Sequence, residues 1–547
     1  MEIDAGALPP PSQLHSQDTV AKRTGPRPCA ACPFRAEILE ARTQAGYWKD
    51  CHQRARKRED ELQEKVEQLE AKIKELERQL FGRRSEKGCG ESPKTDGAST
   101  QRQRRRGQQP GRPGPGRRDT SHLPSQEEFH ALAEDQCRCD RCGLAFEEFA
   151  GTEDSEVLEI EVRGYKRKIR RCRYRPTCQC EHLPGIVTAP GPAKLIPKGR
   201  LGVSLWVEIL LDKYAFLRPT QRLLSDLRTY GIDLSPGAVT GGLKKLVPVF
   251  EPIRDEIVDK NLEQLMWHAD ETSWPVFVPV EGKVGWKWKF WVFQSPSAVV
   301  FVLDPTREAR VPETYFEGIE GGTLIVDRYS GYKAMKQVKA AQILLAFCWA
   351  HVRRDFLGVA RHWPGHKQWG LSWVETIGAV FHLNAKRLQA PSQQFEKHDE
   401  ILRNAVDKIA KRREEELSDP TLHPVRRKPL VSLAKHWDGL TRFVDHPEIP
   451  MDNNTAERTL RALVCGRKQF SGSRAKWAGQ LAAHLFSLFA TLQLWAINPR
   501  QWLTEYLQAC AQAGGQAPPD AARWLPWNLP LSERTAMAEW PQVEDTS

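Results

Sequence analysis

Three carboxylates of this 547-residue chain stand where carboxylates can grip metal. Asp327 follows Thr323–Val326, a short apolar run bounded by glycine pairs and turn residues, which reads as a buried strand. Asp270 follows a second such run, Leu265–Ala269, and is itself followed by Glu271. Glu457 lies in Asp452–Arg458, where a helical pattern begins. Two strand-end aspartates and a helical glutamate are the hard oxygen ligands that a two-metal phosphoryl-transfer site needs, with Mg²⁺ completed by water and phosphate. Any one of them taken alone is also ordinary turn chemistry. A second chemistry lies upstream. Cys139 and Cys142, two residues apart and followed by Gly143, form a knuckle that suits tetrahedral Zn²⁺, and Cys178 and Cys180 can supply the opposite pair. Cys137 and Cys172 are nearby thiols that can substitute. Cys29 and Cys32 make a weaker case for a second zinc. Basic side chains cluster in two places suited to phosphate contact: Arg104, Arg105 and Arg106, and then Arg458, Arg461, Arg467 and Lys468 around the helical glutamate.

The elements that must position these groups follow from periodicity and punctuation. Residues 1–54 are polar and Pro-rich and include the first Cys pair. In 55–87, Leu62, Val66, Leu69, Ile73, Leu76 and Leu80 alternate four and three apart, the seam of a short dimerising zipper, and Gly82 can cap it. Residues 88–121 are an Arg/Gly/Pro-rich linker, and 122–198 are the expected zinc domain, with a basic hairpin over Val157–Ile169 between the cysteine pairs. Residues 199–260 read as three helices, Leu201–Tyr214, Pro219–Tyr230 and Ser235–Leu246, an arrangement shared by a helix-turn-helix and any small helical bundle. Strands are expected at Leu265–Ala269, Lys287–Phe293, Ala298–Leu303, Thr323–Val326 and Gln342–Phe347, then a helix with Trp349–Arg354. Five strands with an aspartate ending the first and fourth are what a ribonuclease-H-like core would give over 261–359. A charged helical insertion at 360–450 and a core-completing helix within 451–497 follow. Asn498-Pro499 opens a last helix, and 498–547 ends in a Pro/Gly-rich tail. The fold class expected is therefore multi-domain α+β.

Composition narrows the partners. Lys and Arg total 81 against 70 Asp and Glu, a net charge of +11 with pI near 9.0, which favours a polyanion such as nucleic acid. The most apolar long run, Leu481–Ile497, is broken by His484, Ser487, Thr491 and Gln493, so it suits a buried helix and no membrane span is expected. No N-terminal signal peptide is legible. The 13 cysteines cluster as metal ligands do in a reducing cytoplasm, and do not read as a secreted disulfide framework.

From about Leu62 to Asn528 the chain resembles the IS66 family of transposases, the large proteins of that group of bacterial insertion sequences. The resemblance rests on ordered motifs: Leu80–Lys87 after the zipper, the cysteine knuckle, His268–Thr272, Asp327 with Gly331 and Tyr332, Trp349–Arg354, and Asn453–Arg458 with Gly466–Lys468. It implies metal-dependent cleavage of DNA at element ends and joining of the 3′ ends to target DNA. Asp270, Asp327 and Glu457 would be the metal-binding triad, with two Mg²⁺ or Mn²⁺ per site besides the zinc. It further implies terminal repeats and target DNA as partners, a homo-oligomer through the zipper, room for helper proteins of the same element, and a bacterial, nucleoid-associated location. Arg328 departs from the pattern, since the family usually has glycine beside the second aspartate. Two rivals share these motifs: a ribonuclease-H-like nuclease that cuts without joining, and a DNA-binding regulator with a decayed core.

Overall fold

The structure is a computed structural model. It describes residues 186–279 and 287–537, the stretches 40–56, 140–146 and 162–175, and single positions between 34 and 177. Two units separate, 1–94 and 95–547. In the first, residues 40–56 are helical, as are Leu62 and Val66, whose side chains stand exposed. The rest of the expected zipper seam, and Arg104, Arg105 and Arg106, lie outside the described residues.

The second unit is mixed α+β around one five-stranded mixed sheet. Its strands are β1 (Met266–Pro275), β2 (Lys287–Gln294), β3 (Val299–Asp304), β4 (Gly322–Val326) and β5 (Ile343–Phe347), in spatial order β3-β2-β1-β4-β5. The first three pair antiparallel; β4 runs parallel to β1, and β5 parallel to β4. Side chains alternate between two apolar layers, as a pleated strand requires. Trp267, Ala269, Trp291, Phe293, Leu324 and Val326 enter one core. Trp274, Trp288, Phe290 and Val292 enter the other.

The helices cover both faces. α1 (Val203–Leu210) runs into a π-helical turn, Leu211–Ala215, and is followed by α2 (Thr220–Thr229) and α3 (Pro236–Leu262). Ser235 caps α3 through its hydroxyl, which accepts from the Ala238 N–H at 3.2 Å. α3 runs well past Leu246, where the sequence suggests an end. Leu246, Val249, Phe250, Ile253 and Ile257 keep helical spacing and are buried, while Pro248 is exposed, so its missing N–H falls on the solvent side. α4 (Trp349–His362), α5 (Lys367–Gln389), α6 (Ser392–Ser418), α7 (Pro424–Lys435) and α8 (Trp437–Asp445) pack on the β5 side. α9 (Asn454–Phe470), α10 (Lys476–Leu494) and α11 (Pro499–Gln512) close the other face.

Three further expectations need correction. β1 does not end at Asp270 but continues to Pro275, because β2 keeps pairing with it that far. The described residues within Val157–Ile169 form no strand; the pairing there is between the two-residue strands Arg173–Tyr174 and Val187–Thr188. The C-terminal stretch is no loose tail up to Met537: Leu525 is fully buried, and the Trp502 indole donates to the Trp524 carbonyl at 2.6 Å.

Candidate active site

The parallel register pairs Met266 with Thr323, Trp267 with Leu324 and His268 with Ile325. Carried two residues further, it sets Asp270 level with Asp327. Strand alternation turns both toward the face crossed by α9, since their neighbours Ala269 and Val326 are buried in the opposite core. Glu457 sits in the first turn of α9. The three carboxylates are close enough that Asp327 and Glu457 both disfavour ionisation of Asp270. Burial, then the charge of Glu271, push the Asp270 carboxyl up to about 7. A half-buried cluster of three negative groups stores repulsion that divalent cations would relieve.

α9 is fastened to β1 at both ends. At its start Asn453 is fully buried and bridges three places. Its Nδ2 donates to the Ala269 carbonyl at 2.8 Å, its Oδ1 lies 2.9 Å from His268 Nδ1, and its backbone N–H donates to Cys348 Sγ at 3.2 Å. At the far end the Ser473 N–H donates to the Pro275 carbonyl and the Trp274 indole to Ser473 Oγ. Gly472 there has φ +104, and a Cβ on it would lie 2.2 Å from the Pro275 carbonyl oxygen, so only glycine fits. This frame sets Asp270 and Glu457 at fixed spacing.

Asp327 heads a tight loop: its Oδ1 accepts the Tyr329 N–H at 2.9 Å. Gly331 completes that loop, because a Cβ would strike the Tyr329 ring at 2.3 Å. Arg328 points away from the carboxylates, donating to Ser432 Oγ of α7 at 2.8 Å and to Asp355 of α4 at 2.7 Å. Glu271 faces the opposite core, where Arg307 pairs with it and the Tyr332 hydroxyl donates to it at 3.3 Å. Its side chain is only 2% exposed, so it is a structural anion beneath the site.

α4 supplies partners for Glu457. Arg354 donates to its Oε1, and His351 Nε2 lies 3.5 Å away. Burial, then the Arg354 charge, hold His351 below the usual imidazole range, and burial does the same to His268. Both rings are therefore neutral near pH 7. Cys348, His351 and Glu457 bring one ligand atom each within 4.8 Å of one another. That softer set sits at the N-terminus of α4, whose dipole disfavours a cation there. The oxygen triad is the better fit for hard divalent ions.

Of the basic residues singled out, Arg458, Arg461 and Lys468 are exposed on α9. Arg467 instead reaches β1, donating to Thr272 Oγ1 at 3.3 Å and to the Ser273 carbonyl. Cys142 is exposed, while Cys139, Cys178 and Cys180 lie outside the described residues. Sequence reasoning assigned no role to Asn453 or Arg354, although both stand inside motifs it quoted; their partners become visible only once the chain is folded.

The model of the transposase IS66 family matches residues 198–481, more than half of the chain and all three carboxylates. The chain belongs to the IS66 transposase family. Family membership makes it a DNA-acting protein of the transposase class. Among curated relatives, this transposase is 27% identical over 422 residues to the uncharacterized protein y4jD of Sinorhizobium fredii (strain NBRC 101917 / NGR234), covering 74% of this chain and 80% of that one. It is 26% identical over 414 residues to y4hP of the same organism, covering 70% and 72%. No solved structure matches it. Among the described residues, no helix of the IS66 protein is long and apolar enough to cross a membrane.

Proposed function

We propose that this IS66 member cleaves DNA at the ends of its element and joins the freed 3′ ends to target DNA, with Asp270, Asp327 and Glu457 as the metal-binding triad. The observation that carries the reading is the level register of Asp270 and Asp327 beneath a helix that holds Glu457 against them. The strand order β3-β2-β1-β4-β5, with β2 reversed, agrees with a ribonuclease-H-like core. The long helical stretch α5–α8 then stands as an insertion before the glutamate helix.

Bound divalent ions would supply a nucleophilic oxygen at neutral pH and stabilise the leaving oxygen of an in-line displacement. The chain does the rest. Asp270, Asp327 and Glu457 would hold the ions, Asp270 in its ionised form and Glu457 in place of its Arg354 partner. His268 and His351, both neutral, orient Asn453 and Glu457 rather than carry charge. Arg458, Arg461 and Lys468, exposed on the same helix, contact backbone phosphates. Arg467 keeps α9 in place on β1. The cysteine segment with its Zn²⁺, Arg104–Arg106 and the helices α1–α3 recognise element ends, and the zipper pairs protomers across two ends. Helper proteins of the same element fit this scheme.

Strand transfer on DNA carrying the cognate ends, with Mg²⁺ or Mn²⁺, tests the reading. Asp327→Asn keeps shape and removes a charge that would help hold the cations. It should lose cleavage and joining by several orders of magnitude and keep DNA binding. Near-normal transfer by this variant, or an equal loss of binding, sinks the assignment. Wild-type products that are cut but never joined would instead identify a nuclease.

A further inference from the structure

Next to the Asp327 loop, positive charge gathers where the core meets α7. Lys333 lies in the short helix Ser330–Ala334 that follows Asp327, and its ammonium contacts Nε2 of His436. His436 Nδ1 is 2.7 Å from the Ser432 carbonyl, so that nitrogen carries the hydrogen and Nε2 accepts from Lys333. Lys435, at the last position of α7, is exposed beside them, and Arg328 stands behind on Ser432.

Few acids offset these cations. Asp355 is committed to Arg328, Asp438 faces the adjoining cleft, and Asp327 belongs to the triad. Burial, then Lys435 and Arg328, lower the Lys333 ammonium; burial, then Lys333 among the charges, lowers the His436 ring. Like charges held together cost free energy that an anion seated among them would recover. A cleft of about 310 Å³ opens beside them along β5, lined by Leu345, Phe347, Lys435, His436 and Arg442 among others. Arg442 Nε donates to the Leu345 carbonyl at 2.9 Å, which caps this sheet edge against another strand.

We propose that Lys333, positioned by His436, and Lys435 form a phosphate seat that carries the DNA backbone from the Asp327 loop into the cleft along β5. The lysine ammoniums present single donors and no bidentate fork for a base edge, so the seat positions DNA without reading sequence. The inference rests on the reading of the chain as a DNA-acting transposase, and places the strand on the α7 side of the triad.

Two measurements on the full chain test it, both in EDTA so that no strand is cut. The first is the salt dependence of binding to a duplex of arbitrary sequence. Removing one cation that neutralises a phosphate should flatten the log–log slope by about 0.9. The double variant Lys333→Gln/Lys435→Gln should flatten it by about 1–2 and weaken binding roughly ten-fold near 0.1 M salt. The exposed α6 pair Lys397→Gln/Lys408→Gln should leave the slope as it is. The second is acetylation of wild-type lysines, read by mass spectrometry, which needs no variant to fold. DNA should protect Lys333 and Lys435 and leave Lys397 reactive. An unchanged slope with both lysines still reactive overturns the proposal. So does protection that appears without DNA as protein concentration rises, since the occupant would then be a second copy. Strand transfer is scored on the same preparations. Wild-type protein that binds through these lysines but joins no strands would fail the transposase mechanism and leave the seat standing.

Discussion

At the scale of single residues, the chemistry of the site turns on where one carboxyl keeps its proton. The fold raises Asp270 to about 7, mainly by burying it. The unfolded chain leaves such a group near 3.9. Between those values the folded state binds more protons than the unfolded state, so stability falls as pH rises. In the metal-free protein the favourable contribution is therefore complete below about pH 4 and gone above about 7. Asp270→Asn removes the cost of the buried charge. In EDTA at pH 8 it should melt roughly 1–3 °C above the wild type, and saturating Mn²⁺ should reverse the order by raising only the wild type. Scanning calorimetry on both proteins decides this; a variant less stable than wild type in EDTA contradicts it. The three acids stood out in the sequence as candidates because each follows an apolar run or opens a helical pattern, although Asp270 turns out to lie within β1 and not at its end. Arg354 did not stand out: it and Glu457 are 103 residues apart, and no local pattern links an α4 arginine to an α9 carboxylate.

At the scale of elements, α9 and β1 act as one piece. Asn453→Ala would remove the bonds to Ala269 and His268 and leave buried polar atoms unpaired, at a cost of about 2–4 kcal/mol. Turnover at saturating DNA should fall while DNA affinity holds, because Glu457 loses its fixed distance from Asp270. A variant with normal turnover would show that the frame is not needed. α3 and α10 are joined by a different device. His484 on α10 is held down to about 4, by burial and then by Arg254, and its Nδ1 is buried without a hydrogen-bond partner. Between pH 6.5 and 4 the unfolded chain binds the extra proton, so stability is lost as pH falls through that window, by about 3 kcal/mol. His484→Leu should flatten the acid limb of urea stability measured from pH 7 to 4; an unchanged limb refutes the assignment. All five strands of the sheet were readable from apolar runs and turn residues. The true ends of α3 and β1 were not. Packing carries α3 past two prolines, and pairing with β2 carries β1 past its aspartate.

At the scale of the whole molecule, the unit that holds the three acids and the N-terminal unit can be tested apart. Leu62 and Val66 are helical and exposed, as seam residues are before a second helix covers them. Replacing Leu62 and Leu69 by Glu in the full chain should shift sedimentation to the monomer. The metal-dependent melting of the core should stay unchanged. A wild-type chain that is already monomeric would remove the zipper from the account. The expectation of a seam comes from heptad spacing, which is written in the sequence itself. How α4 to α8 lean on the Asp327 loop is not written there, because Arg328, Ser432 and Asp355 meet only after the insertion has folded back.

The pairing of Arg354 with Glu457, together with the proton kept by Asp270, has a physiological corollary. Without cations, two of the three acids are offset, one by a guanidinium and another in part by hydrogen. Cations held by the proposed triad would compete with both, so occupancy at a given magnesium concentration should rise with pH as Asp270 ionises. A site built this way would fill only where magnesium outcompetes the proton and the guanidinium together.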